Sequence, residues 1–179
     1  MSTLKVNEIQ HTNGTTALTL DTSGNIVESN LALSWWYKTN DTETVGVSDV
    51  VIDDWTEASD SWGFKRIGGA FTVSSGVFTF PSTGVWKVDT QFFFNSTDPS
   101  YYIAGASTFD SNVMTRYTFI EDNGSSTVYS TVSATRYCNV TNTGTKTISF
   151  KTSSAANIQV RGGFSGGTAV VFQRIAPAQ

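Results

Sequence analysis

The sequence predicts an all-β protein, a single sandwich or jelly roll preceded by a short β segment. Three observations predict it. Only 15% of the 179 residues are charged while 39% are hydrophobic, and Thr, Ser, Val and aromatic side chains are abundant, which suits half-buried pleated surfaces. No window repeats apolar residues at helical spacing over three turns. Short alternating runs are separated by Gly, Pro, Asn and Asp at regular intervals, the pattern of a sandwich or barrel.

Residues 1–30 form the first unit. Leu4, Val6 and Ile9 precede the turn signal Asn13-Gly14, Leu18 and Leu20 alternate after it, and Ser23-Gly24-Asn25 turns the chain again before Ile26 and Val27. This pair of short strands has no aromatic residue and too few apolar side chains for a core of its own. Isolated hairpins of that size are marginal in water, so the segment is expected to be stable only against copies of itself or another protein. Leu4, Val6, Ile9, Leu18, Leu20 and Ile26 are its candidate assembly residues.

Residues 31–179 form the second unit, where the aromatics begin. Leu31–Tyr37 reads as a strand and Thr44–Ile52 as an apolar-rich run, followed by an acidic loop over 53–63 that carries Trp55 and Trp62. Gly76–Gly84 reads as a strand closed by a Pro/Gly turn. Val85–Asn95 alternates cleanly, with Trp86, Val88, Thr90, Phe92 and Phe94 predicted to face the core. On its other face Val85 and Phe93 are apolar among polar neighbours, the pattern of a subunit interface. Tyr101–Phe109, Val113–Glu121 and Thr127–Cys138 are further strands, with Asn123-Gly124 predicting a hairpin between the last two. Thr145–Lys151 and Asn157–Arg161 are expected to pair, and Thr168–Ile175 closes the domain.

Two stretches resemble known families. Gly76-Val-Phe-Thr-Phe-Pro-Ser-Thr-Gly-Val-Trp-Lys-Val88 resembles the strand–turn–strand signature of the complement globular-head and tumour-necrosis-factor jelly rolls, and Gly166–Ile175 is similar to their last strand. The resemblance implies a single jelly-roll sandwich of about ten strands that assembles as a compact trimer around a threefold axis. Ser2-Thr-Leu-Lys-Val-Asn-Glu-Ile9 and Gly14-Thr-Thr-Ala-Leu-Thr-Leu-Asp-Thr-Ser-Gly-Asn25 resemble the opening of fibre proteins of tailed, particularly marine cyanobacterial, phages. That likeness implies a structural virion protein, a homotrimer attached through residues 1–30 to the particle or to another virion protein. Tail or head fibre with a host-binding head, capsid decoration or connector, and secreted lectin-like module are the readings left open. The collagen-like stalk and the signal peptide of the secreted relatives are not seen, so the expected location is the virion, after synthesis in the host cytoplasm.

The chemistry-bearing residues point away from catalysis. His11 is the only histidine and stands in a polar turn outside the head, so a Ser-His-Asp or Cys-His arrangement has no base in place. Cys138 is the only cysteine, which excludes an intramolecular disulfide and leaves zinc short of ligands. It is read as a small buried hydrophobe. Asp53, Asp54, Glu57 and Asp60 match no known calcium-loop spacing and are read as a solvated acidic loop. No catalytic residue, metal or cofactor is expected. The net charge of −4 with scattered Lys and Arg argues against nucleic acid, and no apolar run is long enough for membrane insertion. Trp35, Trp36 and Trp86 are expected in the core, whereas Trp55, Trp62, Tyr101 and Tyr102 are the candidates for contact with a host-surface glycan or protein.

Overall fold

The computed structural model describes residues 31–40, 49–59, 61, 63–96, 103–118, 128–154, 158–163 and 167–179, together with the backbone of short strands at 8–10, 16–20, 26–27 and 43–45. The described residues contain strands and no α-helix. The N-terminal unit is a three-stranded antiparallel sheet of β1 (Glu8–Gln10), β2 (Thr16–Leu20) and β3 (Ile26–Val27). Ile9 stands opposite Leu18 and Leu20 opposite Ile26 in its register. Leu4 and Val6, whose alternation also suggests a strand, lie outside the described residues.

The head is a sandwich of two antiparallel sheets. Its front sheet is built on β4 (Ala32–Lys38), β7 (Trp55–Glu57), β10 (Gly84–Ser96), β13 (Val128–Val140) and β16 (Ala169–Ala176), in the order β7-β4-β16-β10-β13. Beyond the end of β16, β15 (Ile158–Val160) continues along the same edge of β10 and carries β5 (Glu43–Val45). The back sheet runs β8 (Thr72–Ser74), β9 (Val77–Thr79), β14 (Thr147–Ser154), β11 (Ile103–Phe109) and β12 (Asn112–Thr118), with β6 (Val50–Val51) also on β14.

The clean alternation of β10 is what organises the core. Trp86, Val88, Phe92 and Phe94 are all buried, with the half-polar Thr90 among them, while the intervening residues are half-buried. Between the sheets, rings from both layers meet. Phe71 lies 4.3 Å from Phe172 between centroids, and Phe78 lies 5.1 Å from Phe172 and 5.4 Å from Trp36. The indole N–H of buried Trp86 donates to the Ser82 carbonyl at 3.1 Å, so its one polar atom is satisfied. Gly105 on β11 is required by contact: a Cβ there would sit 2.3 Å from the Phe92 ring.

Three sequence expectations change. Val113–Glu121 and Thr127–Cys138 do not form a hairpin: β12 ends in the back sheet, and β13 lies beside β10 in the front sheet along its whole length, from Gly84↔Val140 to Ser96↔Val128. The buried Val132, Cys138 and Val140 face the same core as β10, and that pairing hides them where a hairpin with β12 would not. The tight hairpin lies instead at Asp110-Ser111, whose φ values of 51° and 64° suit a two-residue turn between Phe109 and Asn112. Likewise Thr145–Lys151 and Asn157–Arg161 part company, β14 joining the back sheet and β15 the front. Part of the 53–63 loop is strand β7, which supplies β4 with its outer partner.

Candidate interaction surface

The outer face of the front sheet carries a shallow open basin. Its rows follow from register. Trp35, Val171, Asp89 and Thr135 stand side by side on β4, β16, β10 and β13, and Tyr37, Ala169, Gln91 and Ser133 form the next row. Small side chains fill the middle, leaving a shallow basin of about 510 Å³ with Trp35 as one wall. Phe64 packs edge-on against Trp35 at 5.8 Å. At one end of the β10 row Phe93 stacks on Tyr129 at 5.8 Å, the planes within 8°. At the other end Val85 stands opposite Asn139.

Polar groups within the basin are linked. Asp89 accepts from Thr135 Oγ1 at 2.6 Å and pairs with Lys87 Nζ at 2.7 Å. The Asp89 carboxylate holds the Lys87 ammonium above the usual lysine value, since it hydrogen-bonds and attracts the charged form. The Gln91 amide donates to the Gly167 carbonyl at 3.4 Å.

On the far side of β13 the sandwich edge is a ridge. Thr118 and Ser130 share a hydrogen bond of 3.0 Å across the gap between β12 and β13. Val113 and Tyr117 flank it from the back sheet, 58% and 64% exposed, and Tyr129 and Tyr137 flank it from the front, 58% and 63% exposed. Arg116 is exposed on β12 at this edge. Arg136 points inward instead, donating to the Ser107 carbonyl at 2.7 Å and lying over the Phe109 ring at 5.6 Å.

The candidates from sequence fare differently. Val85 and Phe93 do share the outer face, both half-buried, one at each end of the basin. Trp55 is moved from recognition to packing: its ring lies 5.6 Å from Phe78 and 5.5 Å from Phe150, and its indole N–H donates to the Ile52 carbonyl at 2.8 Å. Strand alternation on β7, invisible behind the acidic composition, turns it inward. Trp35 makes the opposite change, from expected core to basin wall. In the pair Trp35-Trp36 only one can face inward, and it is Trp36, which is 9% exposed. Trp62, Tyr101 and Tyr102 lie outside the described residues.

Asp53 is exposed, whereas Asp54 and Glu57 are engaged internally. Asp54 pairs with fully buried Lys38 at 2.7 Å, and Glu57 pairs with Arg66 at 2.5 Å and accepts from Ser34 at 2.7 Å. Among the described residues no group of three His, Cys, Asp or Glu is placed to hold a metal. Cys138 is fully buried, and burial pushes its thiol up to about 12, well away from nucleophilic use.

Comparison with solved structures follows from this two-sheet order. Eiger TNF from S. frugiperda superposes with a TM-score of 0.57 at 11% identity, over 83% of this chain and 95% of that one. Murine APRIL gives 0.54 at 12% identity, over 81% and 99%. The head is a tumour-necrosis-factor-like jelly roll. The PRD1 vertex protein P5 shares this jelly roll with a TM-score of 0.53 at 14% identity, over 83% of this chain and 99% of that one. No family model matches the sequence, and no curated protein matches it.

Proposed function

We propose that this chain is a non-enzymatic structural protein of a phage virion, a homotrimer whose jelly-roll heads are gathered around a threefold axis and whose residues 1–30 attach it to the particle. The observation that carries the reading is the outer face of the front sheet. A concave surface holding Trp35, Val171 and Ala169, with half-buried Phe93 further along the same face, is left open by a single chain, and faces of that kind mark assembly sites. The virion assignment draws on the N-terminal resemblance to phage fibre openings and on the jelly roll shared with the PRD1 vertex protein.

Strand direction gives the assembly a polarity. Residue 31 enters beside the C-terminal end of β16, at the end of the sandwich holding Gly84 and Val140. The opposite end, where β10 finishes at Ser96, is then the distal one. Contact with a host-surface glycan or protein through that end is the corresponding role, and three linked copies raise its effective concentration without new contacts.

The test has two arms. Light scattering of the full chain is expected to give three chains per particle, and a monomer at micromolar concentration refutes the trimer. Removing residues 1–30 is expected to leave a folded trimer that no longer enters particles in a complementation assay; undiminished incorporation refutes the anchor.

A further inference from the structure

We infer that the apolar corner where the chain enters the head is the seat of that chain's own three-stranded N-terminal sheet. The corner lies on the outer face of the front sheet, on the β4 side and away from β13. Leu33 and Ile67 exchange two backbone hydrogen bonds of 3.0 Å as an antiparallel pair, so their side chains stand together on one face. Alternation about buried Ala32 puts Leu31 on that face too, and Ile175 follows Arg174, which stands opposite Ala32. Leu31, Ile67 and Ile175 are 39%, 43% and 47% exposed, with Leu33 half-buried beside them. Scattered exposed aliphatics are ordinary, whereas four from adjoining segments form a contact surface.

The tether selects the occupant. β3 ends at Val27, and the four residues from there to Leu31 span at most about 14 Å, so the small sheet is confined to the neighbourhood of the corner. That sheet needs a cover. Its register places Ile9, Leu18, Leu20 and Ile26 on one face, and a single layer of three short strands has nothing of its own to hide them. Glu8, Thr19 and Val27 form a row on the other face, which stays open to the particle. Charge agrees with the seat: residues 1–30 hold Glu8, Asp21 and Glu28 against Lys5, and Lys65 is exposed two residues before Ile67. Seating the sheet hides both apolar surfaces within one chain and fixes the direction in which the anchor leaves the head. The inference goes beyond the anchor role and needs neither it nor the trimer.

Cross-linking of the full chain tests it. Leu20→Cys and Ile67→Cys are made singly and together and treated with a short bismaleimide; buried Cys138 provides the unreactive background. The double variant is expected to consume both new thiols within one chain, seen as a single-chain mass carrying one linker. Links between chains in the double variant alone mean that the sheet seats on a neighbouring head and overturn the inference. Dimerisation of Ile67→Cys alone means that corner meets corner and overturns it as well. Hydrogen exchange gives a second readout. Ile67→Ser combined with Ile175→Ser, both at exposed positions, is expected to speed exchange of the Thr16–Leu20 amides about tenfold while the urea midpoint of the head is kept. Unchanged exchange refutes the seat. Light scattering and particle incorporation read the trimer and the anchor separately, so a missing intrachain link in a chain that trimerises and incorporates overturns this seat alone.

Discussion

Breaking the Lys38–Asp54 pair asks how the distal end of the front sheet is held. Lys38 ends β4 with its side chain 0% exposed, and its Nζ donates to Asp54 Oδ2 at 2.7 Å. The same oxygen accepts from the Asn40 backbone N–H at 2.8 Å, while Oδ1 is buried and accepts nothing. The backbone of Lys38 is tied too, its N–H donating to Thr168 and its carbonyl accepting from Gly163. Asp54→Ala therefore removes the carboxylate that holds a fully buried ammonium, and losing one partner of a buried pair costs about 3–5 kcal/mol. For a domain of this size that corresponds to a fall of about 6 to 20 °C in thermal midpoint. Lys38→Met is expected to cost less, about 2–3 kcal/mol, because Asp54 keeps 16% exposure and a backbone donor. Replacing both by apolar residues of similar volume is expected to return within about 1–2 kcal/mol of wild type. Urea denaturation followed by tryptophan fluorescence measures all three. A cost below about 1 kcal/mol for Asp54→Ala, or a double variant as unstable as the sum of its parts, refutes the argument.

Two other outcomes follow from the core. Gly105→Ala drives a methyl into the Phe92 ring, 2.3 Å from where its Cβ would stand, and is expected to destabilise the head by about 1–3 kcal/mol, read as an earlier urea midpoint with unchanged slope. Cys138 is expected to resist thiol reagents at pH 8 until the chain is unfolded. Its folded value of about 12 lies above the usual cysteine value, so below about pH 7.5 the thiol is neutral in both states and contributes no pH dependence. Between about pH 8 and 12 the unfolded thiol ionises while the folded one does not, so stability falls as pH rises, and Cys138→Ala should flatten that part of the profile.

The inward face of β10 was legible because strand periodicity of two is a local property: Trp86, Val88, Phe92 and Phe94 alternate with polar residues, and all four are buried. The Asn123-Gly124 signal shows where such reasoning stops. A turn signal reports that the chain reverses, while the identity of the strand lying beside β13 depends on which distant surface hides Val132 and Cys138. Asp110-Ser111 shows the converse, a two-residue turn with positive φ at both positions that no glycine announces. Trp55 was misplaced because the acidic composition around it masks a three-residue strand, and Asp54 and Glu57 are neutralised by Lys38 and Arg66, partners that lie far from them in one direction or the other along the chain.

By itself the sequence determined the all-β class, the jelly-roll signature between Gly76 and Val88, the inward stripe of β10 and the apolar positions Val85 and Phe93 on its other side. Composition and alternation act over a few residues and are written in the chain directly. Tertiary structure alone decided that Trp35 rather than Trp55 faces outward, that β12 and β13 belong to different sheets, and that Asp89 and Thr135 share one concave face. Those facts depend on strand register between segments tens of residues apart, which is set by how two whole sheets bury their aromatic side chains against each other.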